Sequence, residues 1–265
     1  MGGYYLCGTP RAQHPFYIES IGIHIWSIEE LCYYMKENVY LLDETILNEK
    51  LCAWLSEELG LKKLARVLLN AMEAGGPAMD FVMPIFQECG YLTRTELSYF
   101  REQLQQVQIE SQDVRKKMKA DYLVNYGMYV RAIGEYENIL FTRSPGRIGT
   151  QFYAVVLENM AAAYAHLFRF EEAAECLWES YSTLKSRKVY DKYLRLLPLF
   201  LPEKRYQERL AEIKADRDHA AAMKADTAAI LREARESRFA KEWDALPAKE
   251  RLAELKKEYL KMSQG

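Results

Sequence analysis

The stretch Leu157 to Ser180, LENMAAAYAHLFRFEEAAECLWES, decides the fold. Small residues (Ala161, Ala173) and bulky ones (Tyr164, Phe168, Phe170, Leu177) recur in it at the spacing required by two antiparallel helices that cross closely. An alanine at each crossing lets one backbone approach the other, and the aromatic rings fill the space between. A paired-helix unit of this kind is a scaffold element, which holds a partner by shape and charge and does no chemistry itself.

The same pattern occurs upstream. With Ala132 placed opposite Ala173, Ala120 falls opposite Ala161, Leu123 opposite Tyr164, Gly127 opposite Phe168, Tyr129 opposite Phe170 and Tyr136 opposite Leu177. These are the small-residue and aromatic positions of the tetratricopeptide repeat, which residues 113 to 186 resemble. The two copies are offset by 41 residues, whereas that repeat has a period of about 34. The surplus falls in the connector Thr142 to Gly149, which is expected to be a longer exposed loop. Val189 to Leu201 supplies material for a third first helix, interrupted by Pro198 and Pro202, and reads as a degenerate or capping unit.

The resemblance implies a concave face lined by the first helix of each pair. Carrying those positions over gives Lys117, Asp121 and Asn125 in the first copy and Glu158, Asn159, Ala162 and His166 in the second. In the family a carboxylate clamp of Lys and Asn residues grips a peptide C-terminus. Lys117 and Asn159 fit that role, but Asp121 stands where an Asn is wanted and repels a carboxylate. The resemblance therefore implies a protein or peptide segment of mixed charge as the partner.

Residues 1 to 26 differ from the rest. Tyr4 to Cys7, Phe16 to Ile18 and Ile21 to Trp26 are aromatic and β-branched and are punctuated by Gly and Pro, which predicts two or three short strands. Ser27 and Glu30 then form a capping box. Apolar spacing predicts helices around Leu31 to Met35, Leu47 to Leu55 and Leu61 to Leu68, separated at Asp43 and Gly60. Pro77 suits the start of a fourth helix reaching Cys89, and Thr93 with Glu96 caps a fifth. From Glu203 to about Asp244 the chain is charged and Ala-rich without Gly or Pro, which favours one helix of about 60 Å, followed at Pro247 by a short amphipathic helix that folds back as a hairpin. The expected fold is mainly α: a small α+β N-terminal domain (1 to 110), a short tetratricopeptide-like array (113 to 202) and a long C-terminal helix or helical hairpin (203 to 265).

Composition narrows the function. Among 265 residues, 49% are apolar and 28% charged, and the net charge of −2 comes from interspersed signs, so no surface for nucleic acid or anionic membrane is indicated. Five cysteines, widely spaced and without a CxxC pair, argue against a disulfide framework or a zinc site and fit a reducing cytoplasm. The segment MGGYYLCGTPR has no basic stretch followed by a long apolar run, so no signal peptide is expected. The four histidines form no HxxH or HExxH pair, and no GxSxG motif is present. The segment Ser144 to Gly149 lacks the Lys-Ser/Thr ending of a phosphate loop, and Ile85, Gln87 and Cys89 occupy positions where a calcium loop needs oxygen ligands.

A helix-turn-helix centred on Gly90 would use Thr93 to Arg101 as its reading helix, but Arg94 and Arg101 are matched by Glu96 and Glu102. Of Tyr122, Tyr126, Tyr129 and Tyr136, most are read as core. The sequence leads to a cytoplasmic, non-enzymatic adaptor without cofactor, metal or membrane anchor, capable of self-association through its C-terminal helix. The alternative is a peptide-responsive transcriptional regulator with a DNA-binding N-terminal domain.

Overall fold

The structure is a computed structural model that describes residues 10–19, 21–142 and 148–263. The expected strand at Tyr4 to Cys7 and most of the connector between the two repeat copies lie outside the described residues. The chain divides into two compact units, one up to Lys119 and one from Ala120 onward.

The first unit begins with a hairpin. Strands β1 (Phe16–Ile18) and β2 (Ile23–Ile25) pair antiparallel with Phe16 opposite Ile25 and Ile18 opposite Ile23. Side chains alternate between the two faces of the hairpin. Ile18 and Ile25 are buried, while Tyr17 and His24 stack at 4.9 Å on the other face. Five helices follow: α1 (Ile28–Glu37), α2 (Glu49–Glu57), α3 (Lys62–Glu73), α4 (Ala78–Cys89) and α5 (Arg94–Ile109).

Their ends follow from local chemistry. At α1 the Ser27 hydroxyl accepts from the Glu30 amide at 3.2 Å, but Glu30 reaches past Ser27 to accept from the Trp26 amide at 2.6 Å. Pro77 precedes α4, and the full capping box of Thr93 and Glu96 opens α5. Leu31, Met35, Leu51, Leu55, Leu68, Val82, Ile85 and Phe100 form the core, each almost wholly removed from water. Burying such a side chain contributes about 1.5–3 kcal/mol.

The division between units falls within α6 (Gln112–Asn125). The second unit continues with α7 (Tyr129–Phe141), α8 (Thr150–His166), α9 (Phe170–Leu184), α10 (Arg187–Phe200), α11 (Glu203–Glu212), α12 (Arg217–Glu236), α13 (Arg238–Ala245) and α14 (Ala248–Ser263). Helix α7 packs on α8, α8 on α9, α9 on α10 and α10 on α12, so consecutive helices form a packed array.

One turn geometry recurs along it. The Met128 amide donates to the Leu123 carbonyl (2.9 Å) and the Gly127 amide to that of Val124 (2.9 Å). Residues 41 further on, the Arg169 and Phe168 amides donate to the Tyr164 and Ala165 carbonyls, both at 3.0 Å. Between α11 and α12 the Ala215 and Lys214 amides repeat the pattern on Leu210 and Ala211. This is a left-handed helix terminus. Gly127 takes φ 75° without strain, whereas Phe168 (59°) and Lys214 (52°) adopt it with a side chain in the way.

Ala132, Ala173 and Ala220 each stand at the same place in the helix after the turn, and each is 0% exposed. A third turn of the same kind thus follows Val189 to Leu201, which the sequence pattern marks as a degenerate or capping unit. Its two prolines are accommodated: Pro198 sits in the last turn of α10, and Pro202 precedes α11.

The expected single helix from Glu203 to Asp244 is replaced by α11, α12 and α13. Lys214 accepts the left-handed turn, and the Asp216 carboxylate then takes the His219 amide (2.7 Å) to start α12. The Ser237 hydroxyl takes the Ala240 amide (3.1 Å) to start α13. Helix ends do not require Gly or Pro when side chains supply the bonds that the backbone loses. The turn also allows α12 to pack on α10, burying Ala220 and Thr227, whose hydroxyl donates to the Arg195 carbonyl at 3.3 Å.

Candidate functional site

The residues carried over from the repeat resemblance have unequal fates. Asp121 and Asn159 are brought together: the carboxylate accepts from the Asn159 amide group at 2.8 Å and from the Tyr136 hydroxyl at 2.5 Å. Burial first, and the adjacent carboxylate second, hold the Tyr136 phenol protonated far above its ordinary range. Glu158 forms an ion pair with Lys192 at 2.6 Å, tying α8 to α10. His166, at the end of α8, stacks on Tyr129 with ring centroids 4.5 Å apart and planes 3° from parallel. Asn125 and Ala162 are exposed, and Lys117 belongs to the first unit.

Of the polar groups expected to face a ligand, Asp121 and Asn159 are thus bonded to each other and Glu158 to Lys192, whereas Asn125 and His166 are exposed. The tyrosine reading is corrected as well. Tyr136 alone of the four is fully buried, Tyr126 is exposed and stacks on Tyr122 at 4.6 Å, and Tyr129 is half-buried.

The second unit opens a groove elsewhere, with a volume of about 880 Å³. One wall is the face of α9 carrying Glu171, Ala174, Glu175, Trp178, Glu179 and Ser182, a single helical stripe. The opposite wall is α11, with Arg205, Glu208, Arg209 and Glu212. The end of α10 forms the floor, through Tyr193, Leu197 and Phe200. Pro202 makes this shape possible, because it ends α10 and lets α11 leave at an angle.

Arg209 fixes the floor. Its Nε donates to the Tyr193 hydroxyl at 2.5 Å, its Nη1 pairs with Glu212 at 2.6 Å, and its guanidinium lies over the Trp178 ring at 5.1 Å. Trp178 in turn contacts Tyr193 (5.1 Å) and Tyr181 (5.7 Å). A planar cation stacked on an indole and bonded at two edges leaves the ring little freedom. The lining carries five carboxylates and two guanidinium groups.

The first unit has a smaller recess of about 570 Å³ lined by Lys36, Tyr40, Tyr99 and Phe100. The Lys36–Glu96 ion pair (3.0 Å) lies at its edge, and Glu96 is the carboxylate that caps α5. The acids and bases on that helix are therefore partly paired, and Arg94 and Arg101 are exposed. Among the described residues, no group of three or more His, Cys, Asp or Glu side chains is placed to hold a metal ion, and no helix is long and apolar enough to cross a membrane.

Sequence reading missed the groove. The stripe from Glu171 to Ser182 lies at helical spacing, but its opposite wall falls within the stretch expected to form one continuous helix. The signal that was present is Pro202, which marks a change of helix direction. Compared with models of protein families, with curated proteins and with solved structures, the chain matches none.

Proposed function

We propose that the protein is a non-enzymatic cytoplasmic adaptor of the tetratricopeptide-like kind, which holds a segment of another protein in the groove between α9 and α11. One observation carries the reading: an open trough with helical walls and an aromatic floor that is already rigid. A floor fixed before binding loses less conformational entropy when a partner docks. An aromatic cluster with an arginine is also the composition found at the energetic centres of protein interfaces.

The groove is preferred to the first-helix face because Asp121, Asn159 and Glu158 are already bonded within the fold. A ligand meeting those groups would have to displace good internal bonds. The repeated turn and the three buried alanines that follow it support the kinship with tetratricopeptide arrays.

Site-directed photo-cross-linking tests the proposal. A benzophenone amino acid at Ser182, on the groove wall, should give a discrete adduct in cells, and the same group at exposed Lys63 on α3 should not. No adduct at Ser182, or the same adducts from both positions, refutes it.

A further inference from the structure

We propose that the occupant of the α9–α11 groove is a basic amphipathic helix of about three turns. The inference rests on the reading of this groove as a protein-binding surface and names the chemistry of the partner.

The walls determine the partner's backbone. Both are α-helices, whose N–H and C=O groups are already bonded along their own axes. They offer no edge to which an extended strand can add. A segment that enters such a trough must satisfy its own backbone groups, and a helix does so. The α9 stripe from Glu171 to Ser182 is about 17 Å long at 1.5 Å per residue, matching about three turns of a docked helix.

The lining determines the side chains. Glu171, Glu175 and Glu179 follow one another at a spacing of four residues, one per turn, along one lip of the groove. Glu208 and Glu212 stand on the other. Arg209 is committed to Glu212, Tyr193 and Trp178, which leaves Arg205 as the remaining cation of the lining. The net formal charge of the lining is negative, so an acidic segment or a nucleic acid is repelled and lysine or arginine is attracted.

Between the lips, Trp178, Phe200 and Leu201 are only half-buried and present apolar surface over the wholly buried Leu197 and Tyr193. A helix with leucine-like residues on one face and cations on its flanks satisfies both demands. The recognition mode is helix-in-groove, with apolar anchors spaced by three or four residues.

The test uses the full chain and a fluorescein-labelled helical peptide of about 15 residues built from Leu, Ala and Lys, with leucines on one face. A twin carries Glu in place of every Lys. Fluorescence anisotropy should show binding of the Lys peptide that weakens as salt is raised, because exposed charges are screened. The Glu twin should bind at least about tenfold more weakly, since like charges face it across the groove.

The double variant Glu175→Lys/Glu208→Lys, altering one exposed residue on each wall, should reduce Lys-peptide binding at least about tenfold and improve that of the twin. Trp178→Ala should weaken both, and unchanged circular dichroism establishes that each variant is folded. Equal binding of the twins, binding undiminished in the charge-reversed variant, or binding of neither peptide overturns the inference. A persisting adduct from Ser182 in those cases leaves the adaptor reading standing. Its absence removes that reading too.

Discussion

Asp121→Ala separates a structural polar node from a ligand-facing one. In the parent, the carboxylate takes the Tyr136 hydroxyl at 2.5 Å and the Asn159 amide at 2.8 Å, and Tyr136 is 1% exposed. Removing the acceptor strands a buried hydroxyl, at a cost of about 1–3 kcal/mol, and deprives a half-buried amide of a charge-assisted bond worth about 1 kcal/mol net. The expected loss is about 3 kcal/mol. For a unit running from Ala120 to Gln264 this lowers Tm by about 6–12 °C.

Asp121→Asn keeps the shape and an acceptor oxygen and should lose only about 1 kcal/mol. Asn159→Ala alone should also lose about 1 kcal/mol, and the double variant Asp121→Ala/Asn159→Ala less than the sum, because the same bond is removed by either change. Urea unfolding followed at 222 nm measures these as shifts of midpoint at constant slope. A loss below about 0.5 kcal/mol for Asp121→Ala, additive with Asn159→Ala, would show that the two side chains do not depend on each other. The reasoning that moves the partner from the first-helix face to the α9–α11 groove then fails.

Ala173→Leu places a branched side chain at a crossing that is 0% exposed and should cost at least about 1–3 kcal/mol in urea unfolding, whereas Ala162→Leu on the exposed face of α8 should change stability by less than about 0.5 kcal/mol. Phe168→Gly relieves a left-handed residue whose ring is 77% exposed and should stabilise by about 0.5–1 kcal/mol, while Gly127→Ala, at the equivalent turn, should destabilise by about 1 kcal/mol. Burial raises the thiols of Cys52 and Cys176 to about 11 and about 12, and a hydrogen bond to Cys89 raises that of Cys32, while the same bond lowers Cys89. Iodoacetamide on the native chain should therefore modify half-exposed Cys89 before Cys32, Cys52 and Cys176, as peptide mass mapping will report.

The Thr93 amide, then Lys36, hold the Glu96 carboxyl down near about 2 against an ordinary 4.5. The folded value is the lower one, so its contribution is complete above pH 4.5 and lost as pH falls toward about 2. Calorimetry of Glu96→Gln should show a flatter loss of stability across that window.

The helices were legible wherever apolar periodicity met a chemical stop. Thr93 with Glu96 fixed the start of α5, Gly90 the end of α4, and the register of Ala132 on Ala173 the paired turns, because each is a short-range rule expressed within a few residues. The C-terminal region was misread for the complementary reason. Lys214 has no intrinsic preference for φ 52°, and only the packing of α12 on α10 makes the turn there worth its strain. The first-helix positions were placed in the correct helices, yet their availability depended on neighbours distant in sequence: Asp121 on Tyr136 and Asn159, Glu158 on Lys192. A repeat pattern identifies which residues share a face but does not indicate how those residues bond to one another.

That distinction accounts for where the groove lies. In a stack of helix pairs, the first-helix face is the one along which neighbouring pairs are joined, and here a carboxylate, an amide and an ion pair are spent there on holding α8 to its neighbours. The second-helix face carries fewer such duties. Helix α9 is free to present Trp178 between glutamates, provided a further element closes the opposite side, and α11 does so once Pro202 redirects the chain. Arg209 completes the arrangement by covering one face of the indole that would otherwise be wet and by holding Tyr193 in place. Arg209→Lys keeps the charge but gives up the planar stack and the fork of two bonds. It should weaken capture of the basic peptide while leaving the helical content unchanged, and undiminished binding would mean that the floor is not what organises the groove.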